Sequence, residues 1–303
     1  MASIEFIHAQ HESARPRATS APALWITAAS SLCLVTALAS PFQTASAAAD
    51  IPRDPGSSNS SVKIVSTLLA NEQNASKHRD HYEYISNERS ERTGGHLWTE
   101  KVIETDAGKV RRLIAEDGKP LSPQREAQER GRLGVIVADP VAFRKKSQAT
   151  KDDEAHALQM LSLATRAFLF SDPHEENGFI HIDYRPNPEY QAQNMEERVL
   201  HAMSGSLLID PQMMRLHRID GRLPEDINIG FGLVTIRAGS NFSTTRAHFD
   251  QPDWKTTQVD TAINGRVILF KSIAKNEHAE HSNFVRVSND LSVAQAVALV
   301  EQP

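Results

Sequence analysis

Residues 203–237 read MSGSLLIDPQMMRLHRIDGRLPEDINIGFGLVTIR, and their pattern decides the fold. Three β-like runs lie in the stretch, with a turn signal between each pair. Residues 206–210 form the first run, and Pro211-Gln212 opens a turn because proline presets φ there. Residues 215–223 form the second run and alternate. Side chains alternate across a strand, so Leu216, Arg218 and Asp220 are expected on one face and Arg215, His217 and Ile219 on the other. Pro224-Glu225-Asp226 then reverses the chain into a third run, 227–237, whose Gly230 and Gly232 suggest a bulge or sharp bend. Consecutive strands joined by short turns make an antiparallel meander, and glycine bends curl it. The stretch reads as the middle of a strongly curved antiparallel sheet.

Working outward, residues 62–75 carry Val62, Val65, Leu68 and Leu69 at helical spacing. Residues 81–92, 96–105 and 110–116 read as strands, with Thr93-Gly94-Gly95 and Asp106-Ala107-Gly108-Lys109 as turns. Ser122-Pro123 starts a charged helix over 124–132, since Ser caps and Pro suits the first helical position. Ala155, Leu158, Leu161, Thr165 and Phe168 predict a helix over 152–169. Residues 170–186 read as a hairpin turning at 172–178, and 195–203 as a short linker or helical turn. Strands follow at 240–249, 254–263 and 266–273, with Asn264-Gly265 as a hairpin turn, and a last strand at 283–288. Residues 290–303 read as a C-terminal helix or tail. Alternating βαβ units are missing, which makes the fold class α+β.

The chain has 303 residues and a net charge of −5, with no basic stripe interleaved with aromatics, which excludes nucleic acid as an expected partner. Arg15 and Arg17 precede an apolar run over 21–39, followed by Thr44-Ala45-Ser46-Ala47. That order of basic region, apolar core and small residues reads as a secretory signal peptide over 1–47, with an uncleaved anchor as the alternative. Residues 48–61 are Pro-, Gly- and Ser-rich and read as a linker to a domain over 62–289. The only cysteine, Cys33, lies in the signal, so thiolate chemistry and cysteine metal sites are excluded after cleavage. A periplasmic or secreted location is expected, with no membrane span after the signal.

The segments Tyr82-Glu83-Tyr84, Arg112-Leu113-Ile114-Ala115-Glu116-Asp117-Gly118-Lys119-Pro120-Leu121, Gly205-Ser206-Leu207-Leu208-Ile209-Asp210 with Arg215-Leu216, and Leu269-Phe270-Lys271-Ser272 resemble the LolA/LolB type of periplasmic lipoprotein carriers and receptors. The resemblance spans about 62–287 and rests on turn and strand signatures. It implies a half-barrel whose concave, apolar face holds acyl chains under a lid of helices. The partner it implies is an acyl chain or a lipidated protein, together with envelope proteins. The expected trough residues are Ile180, Ile182, Leu207, Ile209, Leu216, Leu233 and Ile263. No enzymatic activity, cofactor or metal is expected under this reading.

Chemistry-bearing residues were weighed beside it. His278 and His281 with Glu277 and Glu280 are normal metal-ligand types, yet the spacing matches no zinc signature, and the segment reads as a solvated loop. His78-Arg79-Asp80-His81 reads as a wet helix-to-strand junction. His181 and Asp183 share a strand face and could orient a general base, but no Gly-x-Ser-x-Gly nucleophile segment exists. Tyr82, Tyr84, Phe179 and Trp254 read as core rather than pocket lining. Two other functions stay open: a ligand-free envelope interaction module with a packed core, and a metal-dependent hydrolase built on His278 and His281.

Overall fold

The computed structural model describes residues 59–77, 79–229, 234–250, 253–267 and 271–302. The signal peptide, nearly all of the linker, His78, Gly230, Gly232 and Leu233 lie outside the described residues. The chain begins with helix α1 (Asn59–Ala75), then strands β1 (Tyr82–Arg89), β2 (Trp98–Thr105), β3 (Gly108–Glu116) and β4 (Lys119–Pro120). Helices α2 (Pro123–Ala138), α3 (Pro140–Leu161) and α4 (Ala164–Ala167) follow, then β5 (Phe168–Phe170), β6 (His174–Glu176) and β7 (Phe179–Pro186). Next come α5 (Met195–His201), β8 (Ser204–Asp210), β9 (Arg215–Arg222), β10 (Ile227–Ile229) and β11 (Val234–Ile236). The chain ends with β12 (Asn241–Asp250), β13 (Asp253–Val267), β14 (Lys271–Arg286) and α6 (Val293–Val300). The fold is α+β.

All the strands join one antiparallel sheet, in the order β4-β3-β2-β1-β14-β13-β12-β9-β8-β7-β5, which does not close on itself. Among the described residues β6 pairs only with β7, and the β10–β11 hairpin attaches to the end of β13. Register defines two faces. Ile182, Leu207, Ile219, Thr244, Val259, Ala279 and Glu88 lie side by side across seven strands. One residue on, Asp183, Ser206, Asp220, Ser243, Asp260, His278 and Arg89 form the matching row of the other face. The first row is largely buried and the second polar, the expected result for a sheet with one covered side.

Helices cover both faces, not the concave face alone as the sequence reading had it. α1 packs Val65 and Leu68 onto the first face, against Ile182, Leu207 and Ile209. α6 packs Val293, Ala296, Val297 and Val300 against Ile103 and Val110, whose register places them on the opposite face. Those four α6 positions follow the spacing of one helix stripe, and a Ser292–Gln295 capping box starts the helix. α2 begins as expected, with the Ser122 hydroxyl accepting from the Arg125 N–H at 3.2 Å and Pro123 at the first turn.

Several sequence expectations are corrected. Asn264-Gly265 is no turn; both residues lie inside β13. Gly265 is needed for close approach, because a Cβ there would sit 2.8 Å from the Thr235 carbonyl oxygen of β11. The run 227–237 is two strands, with Ile229 opposite Val234. The helix expected over 152–169 is displaced: α3 ends at Leu161, and Phe168 starts a strand. The hairpin turn expected over 172–178 is only Asn177-Gly178, both at positive φ (51° and 84°), which leaves 174–176 free to form β6. Asn-Gly is the preferred pair for such a two-residue turn. Residues 195–203, read as a short linker or helical turn, contain the seven-residue helix α5, in line with the helical alternative, and Asn194 caps it by accepting from Glu197 N–H at 2.8 Å. The loop expected over 275–282 is the middle of β14.

A bulge also breaks the alternation read along β9. Leu208 pairs with Arg218, but Ile209 pairs with Leu216, so β9 carries one extra residue. Leu216 and Ile219, expected on opposite faces, therefore both pack against the cluster under α1.

Candidate functional site: the strip beneath helix α1

Five of the expected trough residues come together. Ile182 and Ile209 are fully buried, Leu207 is buried, and Ile180 and Leu216 are partly buried beside them. Phe168, Phe170 and Tyr184 close one end of this strip. Ile263 is not part of it; it packs instead with Val199, Leu223, Ile229 and Ile236 in a separate cluster. Leu233 lies outside the described residues.

Two glycines shape the strip. Tyr184, Gly205, Gly221 and Phe242 lie in one row across β7, β8, β9 and β12. The Tyr184 hydroxyl donates to the Asp220 carbonyl at 2.8 Å, passing over both glycines. A Cβ on Gly205 would stand 1.9 Å from that carbonyl oxygen, and one on Gly221 would stand 2.2 Å from the Phe242 ring.

One helix covers the strip, and polar contacts tie it near both ends. At the start of α1, the Ser61 hydroxyl donates to the Ser171 carbonyl at 2.6 Å. Toward its end, Glu72 accepts from Arg215 Nε at 2.8 Å, from Arg246 Nη1 at 2.7 Å and from the Leu216 N–H at 3.1 Å. Asn71 adds donations to the Met213 and Met214 carbonyls, each at 3.2 Å. Burial works against a charge on Glu72, but the Arg246 and Arg215 guanidiniums outweigh it and hold the carboxyl below its ordinary value.

Beyond the apolar strip the same face turns charged. Glu88 and Glu100 are buried, and Arg92 bridges them at 2.5 and 2.6 Å. Arg111 adds a contact of 2.9 Å to Glu100. Burial opposes ionisation of Glu88, yet the Arg92 hydrogen bonds and charge lower its pKa to about 2. Lys275 stands 3.4 Å from Glu277, and burial shifts the lysine down and the acid up. On the same face Ser86 Oγ and Thr261 Oγ1 are buried without a hydrogen-bond partner. Buried polar atoms of this kind are commonly satisfied by ordered water.

The other sequence candidates separate. His278 lies on the open face with Asp260 at 2.6 Å, whereas His281 faces inward and approaches the Thr256 carbonyl at 3.1 Å. Opposite faces of one strand hold no common ion, so this histidine pair is not a metal centre. Burial lowers His281 to about 4. His81 stands 3.5 Å from Asp106, and its intended neighbour His78 is outside the described residues. Tyr82, Tyr84 and Trp254 are buried, while Phe179 stacks on His217 with ring centres 4.0 Å apart. His181 approaches Asp183 at 3.3 Å and also meets Glu176, a partner the sequence reading missed. The missed signal was Asn177-Gly178, which fixes the register that brings β6 beside β7.

Among the described residues no helix is long and apolar enough to cross a membrane. Comparison with protein-family models, with curated proteins and with solved structures finds no match.

Proposed function

We propose that the protein is a non-enzymatic binder of acyl chains in the bacterial cell envelope, carrying a lipid or a lipidated protein. In this reading the strip on β7, β8 and β9 is the trough and α1 is its removable cover. The observation that carries it is a continuous apolar strip covered chiefly by α1, with Ala164 and Ala167 of α4 beside it, and fastened by polar contacts near both ends of that helix. When the cover lifts, Glu72 exchanges its arginine partners for water, a cost that adds to the apolar one. The charged region around Glu88, Arg92 and Lys275 lies farther along the same face and suits a polar headgroup. An unclosed antiparallel sheet with a covering helix is also what a half-barrel of the LolA/LolB type requires. Export to the periplasm follows from the signal-like N-terminus in the same reading.

Magnitudes favour a long chain. Lifting α1 costs about 3–6 kcal/mol for Val65 and Leu68 and about 3 kcal/mol more for the Glu72 ion pairs. Burying the fourteen methylenes of a palmitoyl chain returns about 11 kcal/mol at about 0.8 kcal/mol each. A palmitoyl chain therefore outweighs the helix it displaces, and a butyryl chain does not.

A second reading rests on how fully α1 fills the strip, with Val65 only 1% and Leu68 only 3% exposed. On that basis the face is a sealed core and the protein an interaction module without ligand. Palmitate titration followed by amide hydrogen exchange separates the two. The carrier reading expects saturable palmitate binding and faster exchange across α1; the sealed core expects neither.

A further inference from the structure

We infer that the β6–β7 hairpin forms a divalent-metal site of the zinc class on the face of the sheet opposite α1. This site is independent of the trough. The sequence reading kept a metal only as an alternative built on His278 and His281, not here.

The hairpin geometry builds it. The Asn177-Gly178 turn fixes His174 opposite His181 and Glu176 opposite Phe179. Glu176 lies two residues after His174, and Asp183 two after His181, so all four side chains share one face. Register across β7–β9 makes this the face of Ser206 and Asp220, not the face under α1. Ligand atoms of His174, Glu176 and His181 all lie within 4.8 Å of one another. The two imidazole rings are 4.6 Å apart at their centres and tilted by 37°.

The donor set suits zinc. Two imidazoles and one carboxylate are ordinary zinc ligands, bound at about 2.0–2.2 Å, which puts neighbouring donors about 3.3 Å apart in a tetrahedron. Closing from 4.8 Å to that spacing takes only rotation of side chains, and His174 is exposed and free to turn. His181 is pre-oriented. Its Nδ1 faces Glu176 and its Nε2 faces Asp183 at 3.3 Å. Asp183 can accept the Nε2 hydrogen, which leaves the Nδ1 lone pair for the metal; this carboxylate–histidine arrangement typically supports zinc-bound imidazole. Glu176 and Asp183 together bring two negative charges toward a dication. The nearby Arg218 cation is occupied by Asp220, with a fork of 2.8 and 2.9 Å. Three protein ligands leave at least one position open to solvent, the pattern of an open zinc site rather than a closed structural one.

The test titrates zinc chloride into the chelator-treated full chain and counts bound metal by calorimetry and native mass spectrometry. The expected result is one zinc per chain that His174→Ala and Glu176→Gln each weaken by at least tenfold. Asp183→Asn should weaken it about 10- to 100-fold while leaving the stoichiometry intact. His278→Ala should change nothing, which separates this site from a more distant histidine on the same face. His174 is exposed, so its substitution leaves the fold in place, and circular dichroism checks this. A wild-type chain that binds no stoichiometric zinc overturns the inference, as does zinc binding that His174→Ala leaves unchanged.

Discussion

Glu72, near the end of α1, reaches Arg246 on β12 at 2.7 Å, across 174 residues of sequence. The same carboxylate holds Arg215 on β9, so a single acid fastens the covering helix to two strands. Removing one partner of a largely buried ion pair leaves the other charges uncompensated and costs about 3 kcal/mol. Glu72→Ala should therefore raise exchange of the α1 amides by about a hundredfold relative to those of α6. Equal protection in mutant and wild type would show that apolar contacts alone seat the helix.

Acid should loosen the same fastening. The folded-state pKa of Glu72 lies below its ordinary value of 4.5, so the unfolded chain takes up protons first as pH falls. Its contribution is complete above about pH 4.5 and is lost as pH drops through the folded value. Protection of the α1 amides, taken relative to the intrinsic exchange rate at each pH, should fall from pH 5 to pH 3 in wild type and stay flat in Glu72→Gln.

His281 sets a second, separate pH dependence. Burial holds it near 4 in the folded protein, against 6.5 when exposed. Between those values the unfolded state binds the extra proton, so stability falls as pH drops from 6.5 toward 4. The loss is about 3 kcal/mol by linkage. Glu277, which burial raises, works in the opposite sense, and comparison with His281→Gln subtracts it. Urea unfolding of that variant should show a shallower slope over this range than wild type; parallel slopes would place the titration elsewhere.

Glycine substitutions should divide by location. Gly205→Ala drives a Cβ into the Asp220 carbonyl and should cost about 3 kcal/mol or more. Gly134→Ala in α2 meets nothing within 4 Å and should add about 0.5–1 kcal/mol through helix propensity. Thermal midpoints of the two proteins should move in opposite directions.

These residues also show where sequence is informative. The pairing of β8 with β9, and the inward side chains Ile182, Leu207 and Ile209, follow from local alternation and were legible. The bulge that turns Leu216 and Ile219 to the same side was not, because one extra residue shifts parity without a compositional mark. Asn264-Gly265 misled because glycine serves turns and close approaches alike, and only the neighbouring Thr235 carbonyl decides between them. Asn177-Gly178 carried the correct hairpin signal and was absorbed into a longer turn, which hid His174 and Glu176. The Glu72 contacts with Arg215 and Arg246 join positions 143 and 174 residues apart, and nothing local announces them.

The most direct test of the trough is native mass spectrometry of the purified protein, wild type and Ile182→Asp, with and without prior organic extraction. The expected result is a bound mass on wild type that extraction removes and identifies as an acyl lipid. It should be missing from a folded Ile182→Asp protein and restored to wild type by added palmitate. A wild-type protein that flies without ligand before extraction and after added palmitate would contradict the carrier function and leave the strip under α1 as packed core.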